Sequence, residues 1–156
     1  MAIAISLKQY LSENDISYDT LAHPYTLSST KTAQASHIPG ANIAKAVLLK
    51  EEDDYLLAVL PASRHISFDD IEAILDHEVR LATEEEVESL FCDCELGAIP
   101  PIGKAYGVDV LMDDSLTGKE DVYFEAGDHA TLVHVNADQF GKMMESVRHG
   151  LFSLPD

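Results

Sequence analysis

Apolar residues recur along this chain with two periods, and the changes of period mark its elements. Leu7, Tyr10 and Leu11 fall at helical spacing behind the capping-box pattern Ser6-Leu7-Lys8-Gln9, which predicts a short helix ending at Asn14-Asp15. Ile16 to Leu21 alternates as a strand does, and Ser28-Ser29-Thr30 opens a second short helix through Ala33 and Ala35. After the turn His37-Ile38-Pro39-Gly40, Ile43 to Lys50 reads as a short apolar strand closed by the acidic turn Glu51-Glu52-Asp53-Asp54. Tyr55 to Leu60 is its natural hairpin partner, and Pro61 ends that strand. Ser67-Phe68-Asp69-Asp70 and Thr83-Glu84-Glu85-Glu86 start two helices whose stripes, Ile71/Ile74/Leu75 and Val87/Leu90/Phe91, are predicted to lie on a sheet. Three more strands follow, Val108 to Met112, Val122 to Glu125 and Thr131 to Val135. Asn136 then caps a final helix from Ala137 to about Arg148, with Phe140, Met143, Met144 and Val147 on its buried face.

Three places break this pattern. Alternation puts Lys45 on the same face as Ile43, Val47 and Leu49, where an ammonium is costly unless an anion meets it. Either the side chain snorkels from the strand's start, or it is a cation at the floor of a ligand cleft. Gly97-Ala98-Ile99-Pro100-Pro101-Ile102-Gly103 is an apolar, uncharged loop, unlike a polar surface loop. Its glycines admit close backbone approach and its prolines stiffen it, so it can bind a carbonyl oxygen or position a water; it can equally be a buried crossover. Gly127-Asp128-His129, between two strands, has turn residues first and candidate ligands second.

Composition narrows the choices. The chain has 156 residues with 46% hydrophobic content, the size and core of one domain spanning 1–156. It lacks an apolar run of the roughly 20 residues a membrane helix needs, and its start lacks a basic flank and small-residue cleavage site, so a soluble cytoplasmic protein with no membrane partner is expected. Ten Lys and Arg against 28 Asp and Glu give a formal charge of −18, which removes long-range attraction to DNA or RNA and leaves only local contact with one end of a nucleic acid. Cys92 and Cys94 have no second pair to complete a zinc site and read as free thiols. No HExxH pair, glycine-rich phosphate loop or GxSxG elbow occurs, so neither metal nor cofactor is expected.

In this order, the lysine of IAKAVLLK (Lys45), the GAIPPIG loop (Gly97 to Gly103) and AGDH (Ala126 to His129) ahead of TLVHV resemble the YbaK/EbsC family, editing domains related to the insertion domain of bacterial prolyl-tRNA synthetase. The resemblance implies an α+β single domain with a mixed, partly barrel-like sheet surrounded by helices. It implies hydrolysis of the ester joining a wrong amino acid to the 3′ end of a tRNA, with an aminoacyl-tRNA synthetase as a further partner. Lys45 would hold the terminal adenosine's phosphate, and the backbone of Gly97, Ala98, Ile99 and Gly103 would hold the aminoacyl carbonyl or the attacking water, the substrate's ribose hydroxyl assisting. Thr30, Ala46, Pro100, Pro101, Gly127, Asp128 and His129 would line the substrate. Many relatives have a hydroxyl or amide residue where this chain has Ala46, which leaves the amino acid open. The rival reading is a non-catalytic module that binds an amino acid, a nucleotide or a synthetase through the same pocket.

Overall fold

The computed structural model describes residues 3–26 and 28–156, with the side chains of Ser29 and Thr30 excepted. In chain order its elements are α1 (Ile5–Glu13), β1 (Asp19–Ala22), α2 (Ser29–Ser36), β2 (Ala44–Glu51), β3 (Asp54–Pro61), β4 (Arg64–Ile66), α3 (Phe68–Leu75), β5 (Arg80–Leu81), α4 (Glu84–Leu90), β6 (Asp109–Asp113), β7 (Asp121–Glu125), β8 (Thr131–Asn136), α5 (Ala137–Met143), β9 (Arg148–Gly150) and β10 (Ser153–Pro155).

The predicted hairpin is the centre of the fold. β2 and β3 pair antiparallel from Ala44↔Pro61 to Glu51↔Asp54, and they occupy the middle of a five-stranded mixed sheet ordered β5-β2-β3-β6-β9. β6 runs parallel to β3, and β9 parallel to β6. A three-stranded antiparallel sheet, β1-β8-β7, joins this one through a bridge between Ile43 and Tyr123, and β10 pairs with β4. The result is α+β, with the two larger sheets linked through that bridge.

Both faces of the hairpin are covered, which is why it reads as a continuous apolar run. Ala44, Leu48, Leu57 and Val59 pack with Leu7 and Leu11 of α1, Phe91, Ile99 and Ile102. Leu49, Leu56, Ala58 and Leu60 pack on the other side with Ile71 of α3 and Phe152. α4 carries the predicted capping box, in which Thr83 and Glu86 each receive the other's backbone N–H.

The structure corrects the sequence reading at several boundaries. Ser6 does not cap α1: the helix begins at Ile5 behind Ala4, and the Ser6 N–H donates to Asp93 Oδ2 at 2.8 Å. A long-range carboxylate has taken the role assigned to a local side chain. The first strand is shorter than Ile16 to Leu21, because the Ile16 N–H still bonds Leu11 across the turn at Asp15, whose φ is 53°. α5 stops at Met143 and does not reach Arg148. Ser146, at φ 69°, reverses the chain, and Arg148–Gly150 satisfies its backbone on the edge of β6. β4, β5, β9 and β10 were not predicted, since two or three residues show no period. Among the described residues no helix is long and apolar enough to cross a membrane.

Candidate functional site

The free edge of β2 creates the site. Ile43 accepts a hydrogen bond from the Ala62 N–H on the β3 side, so the odd-numbered residues of β2 bond to β3, while Leu48 turns its carbonyl the other way, to Ala82. By the same alternation the N–H and C=O of Ala46 face away from β3. β5 covers that edge only at Leu49 and Lys50. A cleft of about 240 Å³ opens along the uncovered part, lined by Ser28, residues 43–47, Gly97, Ile99 and Glu125. A neighbouring apolar cleft of about 270 Å³ shares Ala46, Val47, Gly97 and Ile99 and continues to Leu81, Ala82 and Val87.

Lys45 is half-buried at the start of β2, and its Nζ donates to the carbonyl of Arg64 at 2.6 Å. That acceptor is held in place: Arg64 itself donates to the Ser153 hydroxyl (2.6 Å) and carbonyl (2.8 Å) on β10. Burial lowers the Lys45 pKa from its ordinary value, and the field of Asp156 works against the shift. The ammonium therefore has a neutral hydrogen-bond partner, and Lys45 is among the residues that line the cleft.

The 97–103 loop is buried except at Gly97. Gly97 takes φ 81°, a conformation glycine adopts without strain, and stands opposite β2. Ala98 donates its N–H to Glu95 at 3.1 Å. Gly97 and Ile99 are the loop residues that both line the cleft and carry an N–H. Pro100 and Pro101 are buried behind them and contribute stiffness. Gly103 is elsewhere: a Cβ there would stand 2.1 Å from the Val108 carbonyl oxygen, so this glycine serves packing against the strand that follows.

The AGDH turn fastens the front of the loop. Gly127 (φ 113°) accepts the Glu95 N–H at 2.8 Å, and His129, buried and at φ 60°, bonds through Nε2 to the carbonyl of Leu96 and meets Tyr25 edge-on at 5.4 Å. A C=O only accepts, so that nitrogen carries the proton. Asp128 accepts from the Ala130 N–H (3.0 Å) and the Thr131 hydroxyl (3.1 Å). These groups orient the loop. Ala46 forms the wall common to both clefts, and the Thr30 side chain lies outside the described residues.

Sequence reasoning missed Glu125 and His23. Glu125 ends β7 with 7% of its surface exposed and lines the cleft; neither carboxyl oxygen has a hydrogen-bond partner among the described residues. His23 Nε2 stands 3.5 Å from Oε1. Burial pushes the Glu125 carboxyl up to about 7, the Thr32 hydroxyl and the His129 ring pulling it down and Asp128 pushing it further up. A carboxylate just before a Gly-Asp turn is ordinary in sequence, and only the partner ring, distant along the chain, gives it meaning.

Burial first, then Asp93 and the exposed Cys92, push the Cys94 thiol up to about 12 against the Tyr106 hydroxyl, which pulls down, and this disfavours the thiolate. Among the described residues no three His, Cys, Asp or Glu groups converge as a metal site.

The chain resembles known proteins chiefly in shape. A candidate trans-editing enzyme for prolyl tRNA synthetase superposes with TM-score 0.84 at 18% identity over 97% of this chain and 96% of that one. A hypothetical protein does so with TM-score 0.83 at 16% identity, over 96% and 99%. A candidate signal transduction protein from Marinobacter aquaeolei VT8 matches with TM-score 0.79 at 16% identity, over 98% of this chain and 31% of that longer one. No curated protein matches in sequence. The family model for the aminoacyl-tRNA editing domain matches residues 23–143, a span that holds Lys45, the 97–103 loop, the AGDH turn, Glu125 and His23. The chain belongs to the aminoacyl-tRNA editing domain family.

Proposed function

We propose that this protein is a trans-acting deacylase that hydrolyses the ester joining a wrong amino acid to the 3′ end of a tRNA. The observation that carries the reading is the convergence of Lys45 with the Gly97–Ile99 backbone on one cleft at the free edge of β2. A half-buried ammonium with a neutral partner suits a phosphate, and the terminal adenosine supplies one. The N–H groups of Gly97 and Ile99 suit the carbonyl oxygen of the ester, where negative charge develops as water attacks. Ala46 gives the aminoacyl pocket a small apolar wall.

The charge of −18 restricts contact to the acceptor end and leaves wider tRNA recognition to a synthetase or similar partner in the cytoplasm. Membership of the editing family and the likeness to a candidate trans-editing enzyme support the same reading. The test is a panel of mischarged tRNAs incubated with the purified protein. Deacylation of at least one well above the buffer rate is expected. Survival of every ester at its buffer rate would leave a non-catalytic binding module as the function.

A further inference from the structure

Glu125 and His23 make an arrangement that the cleft does not need for shape. The His23 ring is fully buried, and its Nδ1 lies 2.8 Å from the Pro24 carbonyl. That carbonyl can only accept, so Nδ1 carries a hydrogen and the neutral ring presents a bare lone pair at Nε2. Facing it at 3.5 Å is Oε1 of Glu125, another acceptor when ionised. Two acceptors turned towards each other in a buried site require one proton between them, on the carboxyl or on the ring. Both Glu125 oxygens and His23 Nε2 lack any other hydrogen-bond partner among the described residues.

The pair lies where chemistry would occur, since Glu125 lines the cleft with Lys45, Gly97 and Ile99. The groups that face it are few. His23 follows β1, Thr32 approaches from α2 with its hydroxyl bonded to Thr26 at 2.6 Å, and Asp128 and His129 belong to the turn after β7. Lys45 is the cation of the same cleft.

We propose that Glu125, coupled to His23, is the general base of the deacylation, a catalytic role that rests on the hydrolase reading above. The ionised carboxylate takes a proton from water as the water oxygen bonds to the ester carbonyl carbon, and the carbonyl electron pair moves onto oxygen at the Gly97 and Ile99 N–H groups. When the tetrahedral species collapses, the bond from carbon to the 3′ oxygen breaks. Its electron pair stays on that oxygen, which receives the proton from Glu125. Free amino acid and a tRNA 3′-hydroxyl result, with one water consumed and Glu125 restored. A buried carboxyl with raised proton affinity ionises near neutral pH and can act there as a base.

The experiment measures kcat/KM against pH for the wild type, Glu125→Gln and Glu125→Asp, using the mischarged tRNA of the panel that the wild type deacylates fastest. For the wild type the rate should rise with pH through an inflection near neutrality and then level. Glu125→Gln should lower kcat about 100- to 10,000-fold and flatten the profile, with KM little changed. Glu125→Asp should keep the inflection at a reduced rate, and thermal melts should show all three folded. Wild-type kcat and profile in Glu125→Gln would overturn the proposal while leaving the deacylase reading intact. So would a raised KM with an unchanged profile, which marks a group that only binds the substrate's ammonium. If the wild type cleaves no ester, the deacylase reading itself falls and the proposal with it.

Discussion

Asp113 on β6 and Glu125 on β7 are both buried carboxyl groups, yet the fold treats them oppositely. Asp113 is closed off from solvent and fully engaged: it accepts the N–H of Phe152 (2.9 Å), the N–H of Ser115 (3.1 Å) and the Ser115 hydroxyl. Burial alone would raise its pKa, but these donors and Ser153 hold it below the ordinary carboxylate value. Glu125 is also penalised by burial, and the pull of the Thr32 hydroxyl and the His129 ring does not offset that penalty, so its pKa rises. One group fastens the chain after α5 to the central sheet. The other stores unmet hydrogen-bonding capacity at the wall of a cleft, the usual signature of a group kept for chemistry.

Removing each group should make the difference visible in stability. Asp113→Ala should have the largest effect, a loss on the order of 3–5 kcal/mol in urea unfolding, because the Phe152 and Ser115 donors are left buried and unpaired. Its contribution exists above the unfolded-state pKa and is lost as pH falls through the lowered folded value.

Glu125→Gln should act in the opposite sense. Folding raises this group's proton affinity from its ordinary value of 4.5 to about 7, so between those values the folded chain binds more protons than the unfolded one. Wild-type stability from this group is thus full at low pH and falls as pH rises through that window. The variant should gain on the order of 2–3 kcal/mol relative to wild type at pH 8, at about 1.4 kcal/mol per tenfold change in affinity, and little at pH 4. Urea midpoints at the two pH values check this, and a loss at pH 8 would show that the carboxylate is paired after all.

Gly103→Ala extends the contrast to the backbone. The clash with the Val108 carbonyl should destabilise by about 1–3 kcal/mol and reduce deacylation only in step with stability. Gly97→Ala, at a positive φ beside the cleft, should reduce deacylation more than it lowers the melting midpoint. The smallest effect should come from Glu86→Gln. The Arg80 guanidinium, the Thr83 N–H and the Tyr55 hydroxyl hold that carboxyl down to about 2, but the group is only partly buried and salt screens it, so the melting midpoint should barely move.

Part of this was legible in the sequence. The β2–β3 hairpin, α3, α4 and the three strands β6, β7 and β8 follow from periodicity and turn residues. Lys45 stood out because a cation in an apolar strand demands a reason. The short strands β4, β9 and β10 were invisible, and with them the Arg64 carbonyl that receives Lys45 and the Ser153 contacts that fix it. Glu125 was read as an ordinary strand end. Its character comes from burial and from His23, a contact between the strand β7 and the segment after β1 that no local pattern encodes.

The most direct measurement is the single-turnover deacylation rate of Lys45→Ala beside the wild type, with thermal melts of both. The ammonium is half-buried, its partner is a backbone carbonyl, and burial already disfavours its charge, so the alanine chain should melt within a few degrees of the wild type while its deacylation falls at least about 100-fold. Full activity in Lys45→Ala would contradict the assigned role. Loss of both activity and cooperative melting would make Lys45 a structural lysine and remove the central support for a deacylase.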